Sequence, residues 1–236
     1  MPIDLNSMRN PRVIQAQADT GLREYFRSIY TYMTLALALT GLVAWFAYDS
    51  GFYAQIARTP LIWVVMLAPL GLAMFLGFRI EKMSLGAAQA AYWVFSAVMG
   101  LSLAGIFAVY SGQSIARVFF ITAGTFGGMS VYGYATRTDL TRMGNFMIMG
   151  LWGIIIASLV NIFLKSSALQ FAVSVIGVIV FVGLTAYDTQ KLKNLYYQVA
   201  GSDMMGKVVI MGALNLYLDF INLFMMLLRL FGDRRS

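Results

Sequence analysis

Seven runs of apolar residues follow one another along the chain with short polar breaks between them. They are Ile29–Tyr48, Leu61–Phe78, Leu85–Tyr110, Val118–Thr136, Phe146–Leu164, Leu169–Asp188 and Val208–Leu228. About 20 apolar residues are needed to cross a hydrocarbon core near 30 Å. A single segment in lipid satisfies its own backbone only as a helix. The pattern therefore predicts an all-α integral membrane protein, a compact bundle of seven transmembrane helices with connections too short for a second domain. Residues 1–28 read as a cytosolic N-terminal tail, 29–230 as the transmembrane domain and 231–236 as a C-terminal tail. The mixed stretch ahead of the first run and the lack of a small-residue cleavage site make that run a retained helix rather than a secretory signal. No convincing internal repeat appears.

Lys and Arg in the breaks set the orientation. With the N-terminus in the cytosol, Arg9, Arg12, Arg23, Arg27, Arg79, Lys82, Arg137, Arg142, Lys191, Lys193 and Lys207 fall inside, while Arg58, Arg117 and Lys165 fall outside. A seventh crossing then leaves Arg229, Arg234 and Arg235 on the outer side, against the rule. A re-entrant last segment would return them to the cytosol. Seven crossings is the reading preferred.

Composition sharpens the class. Apolar residues make up 60% of the chain and charged ones 11%, against roughly half and about a quarter in an ordinary soluble domain. With no Cys and no His, thiolate, imidazole and zinc-cluster chemistry are excluded, and any proton or ion handling must use carboxylates, amides, hydroxyls and amines. The net charge of +7 is scattered singly between apolar runs, which argues against nucleic acid as a partner. Gly124 with Gly128, and Gly153 with Ala157, have spacings that let helix backbones approach closely in lipid. Trp45, Tyr48, Trp63, Tyr92, Trp93, Tyr110, Tyr196 and Tyr197 mostly fall near span ends, as an interfacial belt would. The 16 Met, Met225 and Met226 among them, read as bundle filler.

Two acids stand in the wrong place. An aspartate at mid-membrane costs about 2.5–3.5 kcal/mol on insertion scales, so it marks a functional candidate. Asp188 ends the sixth run and Asp219 lies inside the seventh. Residues three or four apart share a helix face, so Gly212, Asn215, Asp219 and Asn222 form a polar stripe, and the sixth helix, antiparallel to the seventh, can set Asp188 opposite it. The depths do not match if the sixth helix stops near Asp188: contact then requires that helix to dip, the seventh to begin in the cytosol, or water to enter. If the acids meet, they should share one proton and titrate as a pair, a pH sensor without histidine. Their carboxylates, the Asn215 and Asn222 amides and water would make a loose set of oxygen ligands for passing calcium. Arg79, ending the second run, could pair with Asp188 when the proton leaves. Asp139 reads as a loop or N-cap residue of the fifth span.

The stretch Ala213-Leu214-Asn215-Leu216-Tyr217-Leu218-Asp219-Phe220-Ile221-Asn222-Leu223-Phe224, with Tyr187-Asp188-Thr189-Gln190-Lys191, closely resembles the Bax inhibitor-1 family, the transmembrane Bax inhibitor motif proteins. The resemblance implies seven membrane helices and a pH-sensitive calcium leak, gated by Asp188 and Asp219 with Arg79 as switch partner, in a bacterial inner membrane. Tyr187, Gly212, Asn215 and Asn222 are then expected to line the passage. Calcium and protons are the expected ions, and no cofactor is expected. Bacterial relatives also suggest another role: a non-conducting regulator that restrains a membrane-anchored ATP-dependent protease. An intramembrane aspartyl protease is a remote alternative, because such enzymes resemble a Gly-x-Gly-Asp pattern followed by Pro-Ala-Leu, whereas Leu216-Tyr217-Leu218 precedes Asp219 here. The chain is expected not to be an enzyme.

Overall fold

The computed structural model describes residues 11–235, with side chains from residue 19 onward. Arg9 and the first ten residues of the tail assigned to 1–28 lie outside the described residues. Nine α-helices are present among them: α1 (Pro11–Asp49), α2 (Phe52–Ala57), α3 (Leu61–Arg79), α4 (Leu85–Leu103), α5 (Ile106–Val109), α6 (Gly112–Ala135), α7 (Thr141–Leu164), α8 (Ser167–Val199) and α9 (Met205–Phe231). Seven of the helical stretches are long and apolar enough to cross a membrane, and no strand occurs among the described residues. The expected all-α bundle is therefore the fold.

Serine side chains start three of the spans. The hydroxyls of Ser84, Ser111 and Ser166 accept from Ala87 N, Ser114 N and Leu169 N, opening α4, α6 and α8, and so satisfy backbone donors that have no partner within the helix. Asp139 does similar work before α7, where its Oδ1 accepts from the Thr141 N–H at 2.9 Å and the Thr141 hydroxyl at 2.6 Å. Those bonds favour the charged carboxylate and hold it below the usual carboxylate range.

α9 occupies the middle of the bundle and packs against α1, α4, α6 and α8, whereas α7 leans mainly on α8. Leu214, Leu216, Tyr217, Leu223 and Leu228 of α9 are fully enclosed. Phe95 of α4 and Phe126 of α6 meet Tyr217 and Phe220 edge-on, at 5.3 and 5.5 Å between ring centres. The outer faces keep Phe78, Phe120, Trp152 and Phe163 exposed, as residues that meet acyl chains instead of water should be.

The last helix crosses completely. At 1.5 Å per residue α9 is about 40 Å long, and the chain after it is fastened at the face opposite the start of α1. There Asp233 N donates to Ser114 Oγ and Ser111 N to Asp233 O, Arg235 N donates to Val109 O, and the Arg235 guanidinium reaches Tyr48 Oη at 2.7 Å. Arg117 and Asp233 form an ion pair at 2.8 Å. We call the face carrying the α3–α4, α6–α7 and α8–α9 connections the near face and the other the far face. Arg229, Arg234 and Arg235 accordingly stand on the far face, and a re-entrant segment is ruled out.

Several expectations are corrected. α1 begins at Pro11 and not at residue 29, because a mixed sequence outside the bilayer still follows helical periodicity. α8 continues to Val199, well past Asp188, since hydropathy stops at the first charge but the helix does not. The pairs Gly124/Gly128 and Gly153/Ala157 do not join helices: a Cβ built on Gly124, Gly128 or Gly153 meets nothing within 4 Å. Those glycines lie on the lipid side. Close approach occurs instead at Gly133, where the added carbon would strike the Ala186 carbonyl oxygen of α8, and at Gly144, where it would strike the Tyr187 ring. A third case is Gly100, whose added carbon would lie 2.6 Å from the Thr40 carbonyl oxygen. Tyr92 is fully buried in the core and does not belong to an interfacial belt. Its ring lies among those of Tyr32, Trp93 and Phe95.

Gly133→Ala should cost about 1–3 kcal/mol, the usual penalty for overpacking against a rigid neighbour. Gly124→Ala and Gly128→Ala should be neutral or stabilise by up to about 1 kcal/mol through lower chain entropy. Thermal unfolding of the three variants in the same detergent checks this contrast.

Candidate functional site

The side chains of Asp188 on α8 and Asp219 on α9 lie within interaction range of each other. The depth mismatch disappears because α8 runs about 16 Å beyond Asp188 and α9 starts about 21 Å before Asp219 at 1.5 Å per residue. Both acids thus sit well inside the two-helix hairpin. An ionised carboxylate can only accept, so a bond between two carboxyls requires a proton on one of them. Asp219 is 6% exposed and its Oδ2 is buried with no hydrogen-bond partner among the described residues. Asp188 is half-buried.

A cavity of about 370 Å³ leads to this pair from the near face. Asp188, Asn215 and Gly212 line its inner part, and Glu81, Lys191 and Lys207 stand nearer the connections. Gly212 is buried against Leu192 and Ile29. Lys191, one turn along α8, is the cation close enough to act on Asp188. Lys207 donates through Nζ to the Glu81 carbonyl at 2.8 Å, tying the start of α9 to the turn after α3. Beyond Asp219, toward the far face, α9 continues with buried Leu223, Met226 and Leu227. Of the two acids, Asp188 lines the cavity and Asp219 lies behind it.

Other expected site residues are placed differently. Asn222 donates one amide N–H to the Leu218 carbonyl of its own helix at 2.8 Å and does not line the cavity. Tyr187 packs over Gly144 of α7 and lines a separate recess with Thr141, Gln190 and Asn194. Two neighbours on a helix point about 100° apart, so a tyrosine beside Asp188 must face another way. Arg79 is exposed at the end of α3 and forms no ion pair among the described residues; its successors Ile80 and Glu81 reach the cavity in its place. Sequence reasoning missed Glu81, Lys191 and Lys207 as cavity residues. The spacing of Lys191 three positions after Asp188 was the available signal for one of them.

The α8 segment around Asp188 is held from its other sides. Gln190 Oε1 accepts from Leu140 N and Gln190 Nε2 donates to the Thr138 carbonyl, both at 2.8 Å, clamping α8 to the α6–α7 connection. Lys193 Nζ donates to the Tyr134 carbonyl at 2.7 Å and lies over that ring. The buried hydroxyls of Thr185 and Thr189 bond to carbonyls one turn back, Phe181 and Thr185. Polar groups near the acids are thereby satisfied without drawing on them.

The sequence profile of the family described as "Inhibitor of apoptosis-promoting Bax1" matches residues 22–236. The chain belongs to this Bax inhibitor family. Protein RP147 of Rickettsia prowazekii (strain Madrid E) is 51% identical over 220 residues, covering 92% of this chain and 93% of its own. Inner membrane protein YbhL of Escherichia coli (strain K12) is 49% identical over 231 residues, 96% of this chain and 98% of its own. A membrane protein of Streptococcus pyogenes serotype M1 is 32% identical across 94% of this chain and 98% of its own. Integral membrane placement follows from the seven apolar helices together with these relatives.

Gln190→Leu should leave the Leu140 N–H and Thr138 carbonyl without their partner and cost about 1–3 kcal/mol. Faster hydrogen exchange confined to the amides of the α6–α7 connection, with the rest of the bundle protected as before, is the expected signature.

Proposed function

We propose that this family member is a pH-gated calcium leak of the bacterial inner membrane, its near face toward the cytosol. The carrying observation is the close approach of Asp188, which lines the cavity, and Asp219, buried beside it. While a proton is shared, the bond joins α8 to α9 and the passage is closed. When the proton leaves, two carboxylates face each other at short range, where like charges repel by about 4 kcal/mol at 4 Å in an effective dielectric near 20. The helices then part, or a cation enters to neutralise the pair. Loss of the proton accompanies rising pH, so closure belongs to the acidic side and opening to the neutral side.

Calcium suits this site as a transient visitor. It favours hard oxygen ligands and takes six to eight of them; the two carboxylates and the Asn215 amide supply a few, and water the rest. No group of three or more acids capable of caging a metal occurs among the described residues, which favours passage over storage. In the open arrangement Arg79, next to the cavity residues Ile80 and Glu81, takes up the charged Asp188. The reading makes the chain a conduit and not an enzyme. A close carboxyl pair is also what a water-activating dyad uses, but Leu216-Tyr217-Leu218 ahead of Asp219 departs from the Gly-x-Gly-Asp pattern.

Purified protein in liposomes loaded with a calcium dye should conduct little at mildly acidic pH and several-fold more at neutral pH. Asp219→Asn should fold, because the amide still bonds Asp188, and should lose most of the pH response. Asp188→Ala should abolish the wild-type pH midpoint. Flux indifferent to both pH and Asp219→Asn would reject the gate and leave a non-conducting regulator of another membrane protein. Cleavage of a co-reconstituted peptide reporter, abolished by either Asp→Ala change, would establish the protease instead.

A further inference from the structure

The far face carries Arg58, Arg117, Lys165, Arg229, Arg234 and Arg235, and the side chains of Arg117 and Arg235 are engaged. Arg117 pairs with Asp233, Arg235 bonds to Tyr48 and lies over its ring, and Arg234 bridges to Tyr110 through the backbone. Lys165 and Arg229 are set apart by their shared cavity. Neither has an ion-pair or hydrogen-bond partner for its side chain among the described residues, and both line one cavity of about 540 Å³ between the end of α7, the start of α8 and the last turn of α9.

The rest of that cavity favours an anion. Ser158, Asn161 and Gln170 supply its other polar groups, and no carboxylate lines it. Asn161 Oδ1 already accepts from Ser166 N at 2.9 Å, which leaves the amide nitrogen to donate. Lys165 has φ 50°, the left-handed conformation that glycine adopts most readily after a helix. The chain places a cation at this turn despite that cost. Ile162 also lines the cavity, and Ile162 and Phe163 are 65% and 85% exposed, so an apolar surface runs from the cations toward the bilayer interior.

We propose that this cavity binds the phosphate of an anionic phospholipid. Lys165 and Arg229 take the phosphate oxygens, Arg229 as a planar fork and Lys165 as a point charge, while the Asn161 and Gln170 amides donate to the headgroup. The acyl chains lie along Ile162 and the outer face of α7. Basic pockets between membrane helices hold lipid headgroups by this combination of charge and depth. A soluble anion would satisfy the two cations but would gain nothing from the apolar floor, so the lipid is the occupant the surface fits.

Full-length protein in zwitterionic detergent, titrated with phosphatidylglycerol and followed by native mass spectrometry, tests the site. Phosphatidylglycerol should be retained and phosphatidylcholine should not. The double variant Lys165→Gln/Arg229→Gln should weaken retention at least about tenfold. Arg58→Gln, which removes an exposed charge from the same face outside the cavity, should leave it unchanged. If the double variant fails to fold, the pair Arg229→Lys and Arg229→Gln decides, the first retaining lipid and the second losing it. Equal retention of phosphatidylcholine, equal loss in Arg58→Gln, or no loss in the double variant overturns the proposal. So does inorganic phosphate competing as strongly as the lipid, which would assign the site to a soluble anion.

Discussion

A carboxyl group enclosed by hydrocarbon has to find another polar group, and here Asp219 finds Asp188. That single contact explains why the rest of the bundle is built as it is. Without water at this depth, the second acid is both the partner that makes the first tolerable and the source of repulsion once a proton is lost. Such a pair has two states and no stable middle. A cavity beside Asp188 opens toward the near face, and enclosed leucines of α9 lie on the far side of the pair.

Holding two helices so that their acids meet requires that neither slide or rotate. α9 is surrounded on four sides by other helices, so its face toward α8 is fixed by packing. α8 is set by glycines on its neighbours: Gly133 of α6 meets the Ala186 carbonyl and Gly144 of α7 meets the Tyr187 ring. These contacts fall on the residues immediately before Asp188. The backbone just before Asp188 is thus closely approached on two sides, and the Gln190 clamp fixes the turn after it.

Much of this was legible in the sequence, and the remainder had physical reasons to be hidden. Hydropathy revealed seven crossings because lipid imposes a length and a composition on each. The stripe of Gly212, Asn215 and Asp219 was legible because polarity at helical spacing inside an apolar run has no structural excuse. The extent of α8 was not legible, because beyond the bilayer a helix can be amphipathic and charged. Nor did Gly124 and Gly128 announce that they face lipid: spacing specifies a groove, not the direction in which it points. Arg79 illustrates the same limit, since its position ends the correct helix but the following turn, with Ile80 and Glu81, is what reaches the cavity. Lys207 and Glu81 meet only through folding, 126 residues apart.

The fastened C-terminus has a mechanical meaning of its own. Its hydrogen bonds and ion pair hold the end of α9 to the far-face ends of α1, α5 and α6, whereas the other end has one side-chain hydrogen bond to another element, from Lys207 to the Glu81 carbonyl, beside its apolar packing. A rod fixed at one extremity pivots there, and its displacement grows with distance from the pivot. Under the proposed gating, separation of the acids would take the form of a lever stroke, small where the chain ends and widest at the mouth of the cavity.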